Sequence, residues 1–130
     1  NNLSKIDDYA LSNIAVLRSL VLSMNQLNSL NENTFSSLFR LRYLNLSFNY
    51  LEILNEKHFR DLIQLKILDL SNNLIKYVFD NSFMNLNNLE TLYICFNPIT
   101  NLVKTNQTLK GLGNLKLFYI PTDTYLNEFI

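Results

Sequence analysis

Asparagine recurs along this chain with a fixed period of 24 residues. Equal steps separate its positions (25−1, 49−25, 73−49, 97−73), and an aliphatic residue stands two places after each of them: Asn1, Asn25, Asn49, Asn73 and Asn97. A fixed period of about 20–50 residues indicates stacked supersecondary units that share one continuous core. The chain is therefore expected to fold as a solenoid, and its function is expected to be binding by the surfaces that the stack leaves free.

The repeats share the framework L-x-x-L-x-L-x-x-N-x-L. Residues 17–27 and 41–51 match it, residues 65–75 and 89–99 follow the same template, and residues 115–123 form a degenerate copy in which Asp123 replaces the asparagine. We predict one array over residues 1–130, with a partial repeat at 1–16, repeats at 17–40, 41–64, 65–88 and 89–114, and a degenerate terminal repeat at 115–130.

The framework predicts which side chains form the core. Apolar and variable residues alternate with period 2 in the middle of each repeat, which is typical of a short β-strand, and successive strands should stack into a parallel sheet. The inward residues of these strands are Leu20, Leu44, Leu68, Leu92 and Phe118, and a spine behind them consists of Phe35, Phe59 and Phe83, with Leu11 and Leu109 as smaller substitutes. The repeated asparagine should be buried as a ladder, because its amide can both donate and accept hydrogen bonds where the backbone turns.

Apolar residues at fixed distances from the asparagine complete the pattern. Leu30, Leu54 and Val78 stand five places after it, and the spine phenylalanines stand ten places after it. This framework resembles the leucine-rich repeat family, and its 24-residue length resembles the type found in extracellular proteins such as Toll-like receptor ectodomains and secreted insect immune proteins. The resemblance implies an α/β solenoid with a curved parallel β-sheet on the concave face and irregular or short helical segments on the convex face.

The outward side chains of the predicted strands form the candidate ligand-binding surface. Positions three and five of the repeats carry tyrosines and aliphatic residues with one formal charge: Tyr43, Asn45, Ile67, Asp69, Thr91, Tyr93, Leu117 and Tyr119. Aromatic enrichment with few charges is typical of the centre of a protein–protein interface. The alternative is that tyrosine and β-branched residues are simply good strand formers. We favour a protein or other macromolecular ligand at this face.

Residues with catalytic chemistry are few and isolated. His58 is the only histidine and precedes a spine residue, which favours a solvated structural role. Cys95 is the only cysteine, so an internal disulfide and a multi-cysteine metal site are excluded, and a small residue filling a tight slot is favoured over a reactive thiol. Ser23, Ser47 and Ser71 belong to the framework turn and have no base nearby in sequence. We therefore predict no enzymatic activity, no cofactor and no metal.

Charge and hydropathy limit the classes of partner. The formal net charge is zero, which provides no electrostatic footprint for nucleic acid or an anionic membrane surface. No apolar run approaches about 18 residues, so no membrane span is predicted. The first residues show no basic stretch followed by an apolar one, so no signal peptide is predicted in this sequence. Position two of the repeats carries a mostly basic row, which is either a solvated rim or a surface that steers an acidic partner: Arg18, Arg42, Lys66, Glu90 and Lys116.

Sequons mark candidate glycosylation sites at Asn2, Asn45 and Asn106. Asn106 is favoured because it lies in a polar segment, residues 102–108, where the step from asparagine to the next strand is 18 residues (115−97) instead of 16 (41−25). Such insertions map to loops in solenoids. Both ends lack the polar outer face of a capping repeat, so we expect self-association through the ends or a longer array.

These observations predict a non-catalytic recognition module. The resemblance implies an extracellular or cell-surface setting, as part of a receptor or of a secreted immune or adhesion protein. The alternative is an intracellular adaptor or scaffold in the cytoplasm, since the chain shows no cysteine-rich cap of the kind that flanks extracellular arrays of this family. The sequence does not identify the ligand.

Overall fold

A parallel β-sheet forms one side of the protein. The computed structural model describes residues 1–100 and 108–119, with side chains described as far as residue 116. Within these residues the strands are β1 Ser19–Val21, β2 Tyr43–Asn45, β3 Ile53–Leu54, β4 Ile67–Asp69, β5 Tyr77–Val78, β6 Thr91–Tyr93 and β7 Leu117–Tyr119. Strands β1, β2, β4, β6 and β7 pair in that order, each with its equivalent one repeat further on. The predicted solenoid with a parallel sheet is confirmed.

The opposite side of each repeat is mostly irregular, as expected. Residues Ser12–Ile14 form a 3-10 helix, and turns make up much of the remainder. Strands β3 and β5 pair there in a separate two-stranded parallel sheet, with Ile53 opposite Tyr77 and Leu54 opposite Val78. The sequence pattern does not predict this second sheet, because two residues are too few to show a period.

The inward side chains of the five-stranded sheet are buried where strands lie on both sides of them. Leu44, Leu68 and Leu92 are fully buried. Leu20 is only half-buried, because its strand β1 lies at the edge of the sheet. The side chain of Phe118 lies outside the described part of the chain. The predicted alternation of inward and outward residues is confirmed for β2, β4 and β6.

The phenylalanine spine stacks behind the sheet. The ring centroids of Phe35 and Phe59 lie 6.3 Å apart, and those of Phe59 and Phe83 lie 6.4 Å apart, with interplanar angles of 16° and 5°. All three side chains are buried. Leu11 and Leu109 pack partly buried against the same core. The predicted spine is therefore confirmed, and it joins consecutive repeats by direct contact between rings.

The repeated asparagines form the predicted ladder. The Oδ1 atom of Asn49 accepts a hydrogen bond from the N–H of Leu27 at 3.0 Å, and its Nδ2 donates to the carbonyls of Leu22 and Leu46 at 2.9 and 3.0 Å. The same pattern recurs at Asn73 and Asn97. Each side chain bonds both its own repeat and the preceding one, so the ladder sets the stacking of the repeats.

His58 closes a turn and does not face solvent. Its Nδ1 accepts a hydrogen bond from the N–H of Asn55 at 3.3 Å, as Thr34 Oγ1 does for the equivalent N–H one repeat earlier. Burial lowers the pKa of His58, against a smaller opposing effect of a hydrogen bond to the backbone of Leu30. The predicted solvated role is wrong, because the imidazole takes the buried slot of a turn-closing hydroxyl and packs edge-on against Phe59.

Several sequence predictions fall on residues outside the described ranges. They are residues 102–107 of the polar insertion with the sequon at Asn106, and the lapse of the ladder at Asp123 in the terminal segment. These stay predictions.

Candidate functional site

The outward positions of the five-stranded sheet are aligned in two rows by the backbone register. Backbone register places the predicted residues side by side in the orders Tyr43, Ile67, Thr91, Leu117 and Asn45, Asp69, Tyr93, Tyr119. Neighbouring strands of a sheet are separated by about 4.8 Å, so consecutive members of a row are close enough to contact one another. The six side chains on β2, β4 and β6 are half-buried, while those on β7 lie outside the described part. The fold brings the six described side chains together on one face.

Asn45 is held by the serine that follows it by two residues. Its Oδ1 accepts hydrogen bonds from both the N–H and the Oγ–H of Ser47, at 2.9 and 2.7 Å. Its Nδ2 donates to the Oη of Tyr43 at 3.2 Å. The buried Ser47 therefore orients Asn45, and Asn45 in turn positions the tyrosine hydroxyl on the outward face.

The next repeat shows the same arrangement with a carboxylate. Asp69 Oδ1 accepts from the N–H and the Oγ–H of Ser71 at 2.9 and 2.6 Å. One repeat further on, Tyr93 takes the position of the acceptor and Cys95 that of the serine. The framework predicts only a turn role for the serines, yet Ser47 and Ser71 also hold outward polar side chains in place. The signal was the spacing of an Asn or Asp two residues before a serine, which is typical of a local side-chain turn.

The basic row along one margin of the sheet is partly neutralised. Lys66 and Lys116 place their Nζ atoms 3.4 and 3.3 Å from the carboxylate oxygens of Glu90. A hydrogen bond from Lys116, with its charge and a second contact from Lys66, lowers the pKa of Glu90 below its usual value. Arg18 and Arg42 are exposed at the same margin. This arrangement favours a solvated rim beside the outward face.

A second apolar surface lies where the chain leaves the five-stranded sheet. Position eight of the repeats, immediately before the ladder asparagine, holds Met24, Phe48, Asn72 and Phe96, which we call the flank row. All four have positive φ, between 53° and 56°. The three large apolar members are exposed, with 72% of Phe96 and 63% of Met24 accessible to solvent.

Backbone strain accompanies this exposure. The left-handed conformation costs a residue with a Cβ atom roughly 1–2 kcal/mol, and asparagine tolerates it best. Asn72 is thus the residue that the local geometry favours, whereas Phe48 and Phe96 are not. Because Phe96 is mostly exposed, packing offsets little of its cost. The turn itself belongs to the stack, because the N–H groups of Met24, Phe48 and Asn72 donate to carbonyls of the next repeat. The stack does not require a large exposed apolar side chain there, and strained residues of that kind cluster at functional surfaces. The row is not among the residues predicted from the sequence, and its signal is that three of its four members are large apolar residues at a variable framework position.

The flank row lines an open groove of about 550 Å³. Tyr50 and Leu74, both exposed, lie on the groove wall beside the row, and amide side chains supply its polar atoms. The residues that line the groove carry no charged side chain. The molecule therefore presents two distinct apolar surfaces, the ordered face of the five-stranded sheet and the groove along its flank.

The two sequons within the described ranges differ in accessibility. Asn2 is exposed, and its Oδ1 accepts a hydrogen bond from Nε2 of Gln26 at 3.4 Å. Asn45 is half-buried and uses Nδ2, the atom that would carry a glycan, to donate to Tyr43. The geometry thus favours glycan attachment at Asn2 over Asn45.

Within residues 1–100 and 108–119, no group of three or more His, Cys, Asp or Glu residues is placed to hold a metal ion. No helix in that same part of the chain has the length and apolar character needed to cross a membrane. Cys95 is a free, half-buried thiol.

Known proteins share this architecture. The family model described as Leucine rich repeat matches residues 1–51 and 40–99, which together cover residues 1–99. Among solved structures, the fold is similar to a chain from the Toll–Spätzle complex of Drosophila, in its glycosylated form, with a TM-score of 0.86 and 25% sequence identity. That match covers 93% of the present chain and 17% of the other. No curated protein shows a significant match to the sequence.

Proposed function

The chain belongs to the leucine-rich repeat family, and on that premise we propose that it is a non-catalytic module that binds a protein ligand on the outward face of its five-stranded sheet. The similarity to a chain from the complex of Toll with Spätzle supports a protein as the ligand. The proposed contact residues are Tyr43, Asn45, Ile67, Asp69, Thr91, Tyr93, Leu117 and Tyr119.

The proposal rests on one observation: the side chains of the outward face are already held in place without a ligand. Tyr43, Ile67 and Tyr93 are half-buried between neighbouring strands. The hydrogen bond from Asn45 to the Tyr43 hydroxyl adds a polar restraint. Side chains that are already ordered lose less conformational entropy on binding, and each immobilised side chain otherwise costs about 0.5–1.5 kcal/mol. Preorganisation of this kind favours binding by rigid contact.

We place the module in an extracellular or cell-surface setting, within a receptor or a secreted immune or adhesion protein. The similarity to the glycosylated Toll–Spätzle structure and the exposed sequon at Asn2 support this setting. Secretion from insect cells followed by mass spectrometry tests it. We expect glycan at Asn2 and Asn106 and an unmodified Asn45, with Ser4→Ala as the control that removes the first sequon. A secreted chain without glycan at Asn2 would contradict this part of the proposal.

Surface plasmon resonance tests the binding face directly. The immobilised chain is exposed first to purified Spätzle and then to a panel of purified secreted proteins. For any binder, the double variant Tyr43→Ala/Ile67→Ala should weaken the interaction by about thirtyfold or more, as the loss of an interface hot spot does.

The chain itself supplies the matched control. Ile53 and Tyr77 form the same cross-strand pair of residue types on the two-stranded sheet of the opposite side. The double variant Ile53→Ala/Tyr77→Ala should leave affinity unchanged. A ligand that loses affinity with the control pair, and keeps it with the Tyr43/Ile67 pair, would show that the opposite side is the binding surface.

A further inference from the structure

The flank groove is an apolar surface that the proposed ligand-binding face does not use. Met24, Phe48 and Phe96 are exposed at strained backbone positions along it. We propose that a second copy of this chain covers the groove, in a two-fold symmetric dimer in which the two flank rows run antiparallel.

The charge of the surface favours this occupant. The side chains that line the groove are apolar or carry neutral amides and a phenol. The formal net charge of the chain is zero. Apart from the amino terminus at Asn1, one repeat before Asn25, the groove holds no charge, so two copies meet there without repulsion between charged side chains. A nucleic acid or a charged peptide would find no side chain of opposite charge in the groove.

The order of residues in the flank row makes it self-complementary. The members of the flank row follow one another as Met24, Phe48, Asn72 and Phe96. A two-fold axis that passes between Phe48 and Asn72 places Phe48 of one copy over Asn72 of the other. Phe48 and Phe96 lie two repeats apart, which is roughly 10 Å at the spacing of strands in a sheet. The smaller Asn72 stands between them, so a ring inserted over Asn72 lies about 5 Å from each neighbouring ring. That separation is within the range of favourable aromatic pairs.

The same axis also pairs the ends of the row. Met24 of one copy faces Phe96 of the other, and the symmetric contact repeats at the opposite end. A thioether against an aromatic ring is a favourable contact. In an interface of this kind each surface serves as its own partner, as the isologous contacts of two-fold dimers require.

The exposed area of the groove predicts a weak dimer. The exposed fractions of Met24, Phe48, Tyr50, Leu74 and Phe96 leave roughly 500 Å² of side chain accessible on each copy, given the surface areas of such side chains. A dimer would bury roughly 1,000 Å² in total, at the lower end of specific interfaces. We therefore expect a dissociation constant in the micromolar range.

Sedimentation velocity of the full chain, produced without glycans because Asn2 adjoins the groove residue Gln26, tests the dimer from about 1 µM to about 300 µM, the range that brackets a small interface. We expect a reversible equilibrium between monomer and dimer. Phe96→Asn removes one of the two rings that stand on either side of Asn72, together with the contact with Met24 of the other copy, so it should weaken association by about thirtyfold. A wild-type chain that stays monomeric at the highest concentration would overturn the proposal.

Tyr9→Asn is the matched control. Tyr9 also has a positive φ, 61°, and is 56% exposed, but it does not line the groove. Both substitutions replace an exposed aromatic residue with asparagine at a left-handed position, so neither should lower the melting temperature. Only Phe96→Asn should weaken the dimer. Equal association of wild type and Phe96→Asn would show that the chain associates through another surface, such as its ends.

A pair of opposite charges, introduced at the two ends of the flank row, tests the antiparallel pairing. Met24→Glu and Phe96→Lys should each abolish self-association, because each places a charge against an apolar partner. A mixture of the two variants should restore a heterodimer, since Met24→Glu in one copy would face Phe96→Lys in the other. A mixture that stays monomeric would overturn the antiparallel pairing.

Discussion

One tyrosine and one isoleucine face each other across neighbouring strands on both sides of this protein. Tyr43 pairs with Ile67 on the five-stranded sheet, and Ile53 pairs with Tyr77 on the two-stranded sheet. The first pair is half-buried, whereas Ile53 and Tyr77 are 46% and 50% exposed. Since the residue types are the same, the difference arises from the surroundings.

The two pairs differ in how many strands lie beside them and in whether a hydrogen bond holds the tyrosine. Both β2 and β4 have a paired strand on each side, while β3 and β5 pair only with each other. In addition, Asn45 donates to the hydroxyl of Tyr43 and is itself held by Ser47. Paired strands on both sides and hydrogen bonds to adjacent polar side chains therefore hold the aromatic side chains of the outward face in place. Composition alone does not distinguish the two faces.

The largest expected effect comes from the core that supports both sides. Phe59→Ala leaves a cavity between the rings of Phe35 and Phe83, so the free energy of unfolding should fall by about 3–5 kcal/mol. Chemical denaturation measures this change. Phe79, exposed on the side of the two-stranded sheet, provides the control, and Phe79→Ala should stay within about 0.5 kcal/mol of wild type. Similar losses for both variants would contradict a closely packed spine.

The next effect concerns the ladder that joins the two sides of each repeat. Asn73 bonds the carbonyls of Leu46 and Leu70 at the ends of the sheet strands, and the N–H of Leu51 on the way to β3. Asn73→Ala leaves these buried groups without partners and should cost about 2–4 kcal/mol in denaturation experiments. The exposed Asn87→Ala should be nearly neutral. A loss below about 0.5 kcal/mol for Asn73→Ala would show that the ladder does not stabilise the stack.

A smaller effect separates the two serines beneath the outward face. Ser71 donates to the carboxylate of Asp69, whereas Ser47 donates to the neutral amide oxygen of Asn45. Hydrogen bonds to charged groups are roughly twice as strong as neutral ones, so Ser71→Ala should cost about 1–2 kcal/mol and Ser47→Ala about 0.5–1 kcal/mol. Denaturation of the two single variants makes the comparison. Equal losses would mean that water replaces the hydroxyl at Asp69.

The smallest effect depends on pH and belongs to the opposite side. Burial lowers the pKa of His58, so the folded protein favours the neutral imidazole that accepts from Asn55. The stabilisation is fully present above the ordinary histidine pKa of about 6.5, and it is lost as pH falls through the depressed pKa of the folded state. Denaturation midpoints should therefore drop more steeply with acid in wild type than in His58→Gln, which keeps an acceptor and a donor. Parallel pH profiles for the two proteins would refute this linkage.

The residues that sequence analysis placed correctly repeat a single physical requirement. Asn49 and Phe59 each stand at a framework position where every repeat needs the same buried amide or the same ring, so periodicity alone identifies them. His58 could not be placed this way. Its slot holds Thr34 in the preceding repeat, and only the structure shows that an imidazole nitrogen accepts the same turn hydrogen bond as a hydroxyl.

The 24-residue period by itself determined the parallel stack, the buried ladder and the side of the sheet on which Tyr43 and Ile67 lie. Each of these follows from alternation along one strand and from equal steps between strands. Only the tertiary structure decided that Ser47 and Ser71 hold the outward polar residues, that β3 and β5 pair, and that the flank row has positive φ. These features depend on backbone dihedral angles and on contacts between repeats, and residue types at a fixed spacing do not specify either of them.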